Sequence, residues 1–271
     1  MTSAESWLKR RASKAQPECT REPLEPNAAR CATIRVLIRF AATPRIQAFL
    51  LDMDGVLVNS TPVHNEAWRR YLARHGLHLD LALIERVMLG KHNREIVRAF
   101  FGDGLTDLEI ERHGAEKEKL YRELMRPRLK DCLVSGVASF LHRYGHIPMG
   151  LASNAEPANV EFILQETGFG PYFRAVLSAH DVQQPKPDPE IYLELARRLG
   201  FHPAECLVFE DSVTGIEAAR RAGCRVVGLA TTTAALDGAD LVVKDFADPA
   251  LELWLEGVLE ASAGRPATTG D

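Results

Sequence analysis

Two aspartates separated by a single residue, Asp52-Met53-Asp54, followed by Gly55 and Val56, are the residues of this 271-residue chain best placed to do chemistry. They come directly after a short apolar run, Gln47–Leu51. Carboxylates next to a buried strand are expensive to desolvate. Two residues apart beyond a strand end, they are free to take different work: one attacks an electrophile, the other gives and takes a proton. Gly55 lets the backbone turn away close to a ligand. Ser153, in GLASNAE, offers a hydroxyl and neighbouring backbone N–H groups to a phosphoryl oxygen. Lys186, in QPKPDPEIY, has a proline on each side to fix its backbone, and suits the neutralisation of a phosphate or of an attacking carboxylate. Glu210 and Asp211 close the apolar run CLVFE. Four carboxylates with one lysine make a site for a hard cation, and all-oxygen donors favour Mg2+ over zinc. Such an ion offsets the repulsion among the acids and between a phosphate and its nucleophile.

The elements that must position these residues follow from periodicity. Gln47–Leu51, Ile147–Ser153, Ala175–Ala179, Cys206–Glu210 and Arg225–Ala230 are apolar runs of strand length, each followed by polar or turn residues. Helical patterns over Pro157–Glu166, Pro189–Leu199 and Gly215–Ala222 lie between them. Alternating strands and helices predict a doubly wound α/β fold, a parallel sheet covered on both faces, with strand order 5-4-1-2-3 and ligands at the carboxyl ends of the strands. One interval breaks the alternation. HNEAWRRYLARHG, LALIERVML, NREIVRAFFG and LEIERHGAEKEKLYRELM carry apolar residues at three- and four-residue spacing and predict an inserted helical cap over residues 61–131. Within it, Lys117 and Lys119, set among Glu116 and Glu118, read as a mixed-charge helix face. The core is then expected over 45–60 and 132–262, with a basic, proline-punctuated leader over 1–44 and a flexible tail over 263–271.

Composition excludes several classes. With 33 Lys+Arg against 37 Asp+Glu the formal net charge is -4, which argues against nucleic acid as a partner. Five scattered cysteines, without a C-x-x-C pair, argue against a disulfide framework or a zinc site and suit a reducing compartment. No apolar run has the roughly 18 residues a membrane span needs, and the opening MTSAESWLKRR lacks the apolar segment of a secretory signal. A cytoplasmic protein, monomeric or weakly dimeric, is expected. The leader holds one strand-like stretch, TIRVLIRF at 33–40. His142 and His146 are expected to be surface histidines, because Gly145 and Pro148 interrupt a helix there.

DMDGVLVNS, LASN, KPDPEIY and VFEDSVTGIEAARRAG together resemble the four ordered motifs of the haloacid dehalogenase-like phosphatase superfamily, over the chain from about Arg45 to the C-terminal helix. The resemblance implies that Asp52 is the nucleophile of an aspartyl-phosphate pathway and Asp54 the general acid/base, with Ser153 and Lys186 binding the transferring group. It implies Mg2+ held by Asp52, the main-chain carbonyl of Asp54, and Asp211, with Glu210 in support. The dehalogenases of that superfamily lack the second aspartate, so Asp54 points to phosphoryl transfer. The inserted helices, with His64 and Trp68 in HNEAW, the stretch GKHNRE around Arg94, and Lys117, are similar to the β-phosphoglucomutase-like subgroup with a small cap. By that likeness His64 positions Asp54, Trp68 lines the site, Arg94 and Lys117 contact the far end of the substrate, and Asn154 joins them as a substrate contact. The Asn154-Ala155-Glu156 run after Ser153 follows many hydrolases instead of the mutase pattern. The expectation is therefore an Mg2+-dependent phosphohydrolase acting on a small phosphorylated sugar. A β-phosphoglucomutase interconverting β-glucose 1-phosphate and glucose 6-phosphate is the alternative, and a catalytically silent binding module the reading from another class.

Overall fold

The computed structural model describes residues 44–88 and 93–260. The expected leader with its strand at 33–40, the tail at 263–271 and the Gly90–His92 part of the GKHNRE stretch lie outside the described residues.

Six parallel strands form one sheet in the order β3-β2-β1-β4-β5-β6. They are β1 (Ala48–Leu51), β2 (Met149–Ala152), β3 (Phe173–Leu177), β4 (Cys206–Glu210), β5 (Arg225–Leu229) and β6 (Leu241–Val243). The five expected strands take the expected order. The sixth, Leu-Val-Val, was not foreseen: three residues are too few to show a period, and it forms by pairing with β5, Val227 to Leu241 through Leu229 to Val243. β1, β2 and β4 are buried along their whole length, as the centre of a sheet covered on both faces demands.

The helices between β1 and β2 are α1 (Thr61–Arg74), α2 (Leu81–Met88), α3 (Asn93–Phe101), α4 (Asp107–Met125) and the single turn α5 (Leu129–Cys132), followed by α6 (Val137–Tyr144). The remaining helices are α7 (Pro157–Thr167), α8 (Glu190–Leu199), α9 (Val213–Ala222) and α10 (Pro249–Glu260). α4 begins in a reciprocal cap, in which Thr106 accepts from the Glu109 N–H and Glu109 accepts from the Thr106 N–H. α1 starts without one: the Ser60 hydroxyl, at its N-cap, bonds elsewhere. None of the helices among the described residues is long and apolar enough to cross a membrane.

Strand alternation divides the core in two. Phe49, Leu51, Leu207 and Phe209 point to one face, where α6, α7 and α10 bring Phe140, Ile163 and Leu255. Ala48, Leu50, Cys206 and Val208 point to the other, where α8 and α9 bring Ile191, Leu195 and Ala219. Each fully buried Leu, Ile or Phe contributes about 1.5–3 kcal/mol, so the sheet is fixed from both sides and its strand ends form a rigid platform. On the second face a Cβ on Gly150 would stand 2.7 Å from the Leu195 side chain. His142 and His146 are exposed, as expected, and Cys206 and Cys224 are buried free thiols.

Gly136 joins α5 to α6 with φ of 78°, and a Cβ there would meet the backbone of Phe246 and Ala247 at 2.6–2.7 Å. The left-handed conformation alone costs a non-glycine residue about 1–2 kcal/mol, and backbone cannot move aside cheaply. Gly136→Ala is expected to lower the melting temperature by roughly 4 °C or more, read by differential scanning calorimetry.

Candidate active site

Strand register alone brings the first groups together. Leu51 pairs with Leu151 of β2 and with Phe209 of β4. The next residue on each strand is therefore Asp52, Ala152 and Glu210, with Ser153 and Asp211 one step further. The Asp52 N–H donates to the Phe209 carbonyl at 3.0 Å, and the Ser153 N–H to the Leu177 carbonyl at 3.0 Å, so both residues continue the ladder.

Lys186 closes this ring from the loop before α8. Its ammonium donates to Asp52 Oδ1 at 2.5 Å, to Glu210 Oε1 at 2.8 Å and to the Ala152 carbonyl at 3.0 Å. Its three N–H groups thus join three strand ends. Burial alone would pull the ammonium down, but Asp52 and Glu210 outweigh it and hold its pKa above the ordinary lysine value. Lys186 stays charged.

Glu210 is held on both oxygens. Oε1 also accepts from the Tyr192 hydroxyl at 2.7 Å. Oε2 accepts from the N–H groups of Asp211 and Ser212 and from the Ser212 hydroxyl. Ser212 in turn caps α9 through the Gly215 N–H. With its lone pairs so engaged, Glu210 chiefly aims Lys186 and anchors the start of α9. Tyr192 was not visible as a site residue in the sequence, where it reads as one apolar position of an amphipathic helix.

Asp52, Glu210 and Asp211 offer carboxylate oxygens within 4.8 Å of one another, and all three are buried. Burial raises the Asp52 carboxyl well above its ordinary value against the pull of Lys186, with Glu210, Asp211 and Asp54 adding to the rise. Burial and Glu210 push Asp211 up to about 7. Crowded hard oxygen donors whose charges are this poorly compensated fit a small divalent cation such as Mg2+. Asp211 is steadied by a hydrogen bond from Thr232 Oγ1.

Asp54 stands apart from that cluster. Its Oδ1 accepts from the Ser60 hydroxyl at 2.5 Å, the bond that takes Ser60 away from capping α1. Burial raises its pKa, with Ser60 working in the opposite direction. A buried carboxyl with a raised pKa, held by one hydroxyl and facing a cavity, is suited to proton transfer. Ser60 was not foreseen; a Ser one residue before a Pro-initiated helix reads first as a cap.

Asp54 and Lys186 open on a cavity of about 700 Å3, whose helix-side wall includes His64, Trp68, Asn93, Lys117 and Glu118 and whose strand-end wall includes Asn154. Asn154 Oδ1 accepts from the Lys186 N–H at 3.4 Å. Ser153 is buried at the same strand end, its hydroxyl accepting from the Ala155 N–H at 3.0 Å. His64 lies flat on Tyr121, ring centroids 3.8 Å apart, and burial with the Lys117 charge pushes its pKa down to about 3, so it is neutral. Trp68 is fully buried, with the Lys117 ammonium 5.0 Å from its ring centroid.

Two expectations need correction. Arg94 does not reach the cavity: it is about half exposed and pairs with Asp107, and its neighbour Asn93 lines the wall instead. Asn93 and Arg94 open α3, where successive residues point about 100° apart, so register decides which of the two faces inward. Lys117 and Glu118 are not part of a solvated mixed-charge face either. They are buried and paired with each other, while Glu116 and Lys119 are the exposed members. Glu118 was missed because adjacent opposite charges on a long helix usually face water.

The haloacid dehalogenase-like hydrolase family signature matches residues 46–223. The chain belongs to this family. It is 33% identical over 184 residues to the fructose-1-phosphate phosphatase YqaB of Escherichia coli, covering 68% of this chain and 96% of that protein. It is 30% identical over 217 residues to the beta-phosphoglucomutase of Bacillus subtilis, covering 78% of this chain and 95% of that protein. Among solved structures, the beta-phosphoglucomutase of Clostridium difficile superimposes with a TM-score of 0.68 at 26% identity, covering 79% of this chain and 98% of that one. This member of the family is an enzyme of the phosphatase and phosphomutase kind.

Two outcomes follow from the acidic cluster. A divalent cation held by Asp211 would displace its proton, so with Mg2+ as the probe the apparent affinity is expected to rise as pH increases from 6 to 8, with protons released on binding. Titration calorimetry in buffers of different ionisation enthalpy reads both. Gly55 has φ of 80°, and a methyl group there would overlap the Asp211 carboxylate. Gly55→Ala is therefore expected to weaken Mg2+ binding at least ten-fold in the same measurement, with the circular dichroism spectrum retained.

Proposed function

We propose that this enzyme is an Mg2+-dependent phosphohydrolase that acts on a small phosphorylated sugar through a covalent aspartyl-phosphate. The reading is carried by one observation: Asp52 bonded to Lys186, beside Asp211, with Asp54 opening on the adjoining cavity. The names of relatives point the same way. They include, besides the fructose-1-phosphate phosphatase, a phosphorylated carbohydrates phosphatase of Thermotoga maritima.

In this reading Asp52 attacks the phosphorus through a carboxylate oxygen as the bond to the sugar oxygen breaks. The Asp54 proton passes to that leaving oxygen, and Asp54 then takes a proton from the water that cleaves the acyl phosphate. Lys186 is already bonded to Asp52, so its charge faces the transferring group without any rearrangement. Asp52, Asp211 and the main-chain carbonyl of Asp54 would hold Mg2+, which supplies positive charge to offset that of the phosphoryl oxygens and the nucleophile. Ser153 and Asn154, at the end of β2, border the same space, and the helices over 61–131 serve as a cap that limits access to it.

A second reading has an observation in its favour, the match to a beta-phosphoglucomutase along 95% of that protein's length. There a sugar hydroxyl replaces water as the group that accepts the phosphoryl from Asp52.

Phosphate release from a panel of phosphosugars, measured with Mg2+ beside Asp52→Asn, tests the proposal. The substitution is expected to lower turnover on the order of 1000-fold or more; full activity in the variant sinks the assignment of the nucleophile. Offering β-glucose 1-phosphate with a trace of the bisphosphate separates the readings. Inorganic phosphate is the expected product, and glucose 6-phosphate marks a mutase.

A further inference from the structure

The helix-side wall of the cavity carries a buried carboxylate, Glu118. Glu118 is almost completely buried and ion-pairs with Lys117 through Oε1. That oxygen also accepts from Asn93 Nδ2 at 2.6 Å, and Oε2 accepts from Asn159 Nδ2 at 2.7 Å. Asn159 belongs to α7 and is itself fixed by Arg122 Nη1 at 2.6 Å, which also holds Glu156 at 2.7 Å. Glu118 therefore cannot swing away from Lys117 without breaking bonds to two amides on two other helices. Burial, the largest single influence, pushes its carboxyl up, but Lys117, His64 and the Asn93 amide together outweigh it and leave it at about 2.

The charge balance of the wall follows. Among the described residues, each cation that lines the cavity has a carboxylate partner: Lys117 has Glu118, Arg221 has Asp188 at 3.9 Å, and Lys186 has Asp52 and Glu210. Lys186 belongs to the reacting end. What remains beside Glu118 is neutral and polar, namely the His64 imidazole, the amides of Asn93 and Asn159, and the buried indole N–H of Trp68, which has no acceptor among the described residues. Such a surface suits hydroxyls. A phosphate carrying about -1.5 to -2 charges would instead meet no uncompensated cation among the described residues of that wall.

We propose that Glu118 is a specificity-determining residue that neutralises Lys117 and selects monophosphates with an uncharged, hydroxylated far end over bisphosphates. The proposal rests on the phosphohydrolase reading and deepens it: a mutase cycle passes through a bisphosphate, which this wall disfavours. Discrimination comes from a repulsive element placed against the wrong ligand.

The test compares kcat/KM of the full chain, with Mg2+, for a ketohexose 1-phosphate and the matching 1,6-bisphosphate. The wild type is expected to favour the monophosphate at least ten-fold. Glu118→Gln is expected to cut that preference ten-fold or more, mainly through a lower KM for the bisphosphate, and adding Lys117→Met should cancel the gain. A wild type that takes both equally, or a Glu118→Gln variant with an unchanged ratio, overturns the proposal. The wild-type arm decides even if the variant does not fold. Calorimetric binding of both sugars to Asp52→Asn reads the same preference without turnover. Absence of phosphate release from every monoester would sink the phosphohydrolase reading alone, while equal binding of the two sugars would sink the role of Glu118.

Discussion

The buried ammonium of Lys186 is the interaction on which the rest of the site depends. Its bonds to Asp52, Glu210 and the Ala152 carbonyl gather the ends of β1, β4 and β2 around one positive charge. Remove it, and the Asp52 and Glu210 carboxyls would face each other in a place where burial already raises the Asp52 carboxyl. A buried pair is weak evidence for stability by itself, because desolvation consumes most of the Coulomb gain. Here the arrangement secures geometry: every N–H of the lysine and both oxygens of Glu210 are engaged, and Asp52 is held through Oδ1. The two hydrophobic faces of the sheet supply the rigidity that makes such an arrangement hold.

The division of labour between Asp52 and Asp54 follows from surroundings and not from residue type. Asp52 shares its pocket with a lysine and two other carboxylates. Asp54 has the Ser60 hydroxyl and lies next to the cavity. Two identical side chains one residue apart thus meet different fields, which is what the proposed split into nucleophile and acid/base requires. The helices between β1 and β2 add a third layer. They line the cavity, and among the described residues each cation of its lining has a carboxylate partner.

Much of this was legible from the chain. The alternation of apolar runs and helical patterns is a one-dimensional record of a sheet covered on both faces, and it gave five strands and their order. Asp52, Asp54, Ser153, Lys186, Glu210 and Asp211 could be gathered because each follows a strand or the loop after one, and a parallel sheet puts all such positions on one edge. β6 escaped notice because its three residues are stabilised by pairing with β5 and carry no period of their own.

What the sequence determined by itself was therefore the platform and the polar groups at its edge, since both are set by local patterns that survive without knowledge of the neighbours. Tertiary structure decided which polar side chains of the helices face the cavity. Arg94 turned outward to Asp107 while Asn93 turned in, and Lys117 with Glu118 went into the interior while Lys119 stayed in water. On a helix one residue is a rotation of about 100°, and the packing of α1, α3 and α4 against each other sets that rotation. Tyr192, Ser60 and Asn159 acquired their roles the same way, by bonding to carboxylates brought near only by the fold. Spacing along a chain tells what chemistry is available; the orientation of one element against another tells which charge meets which.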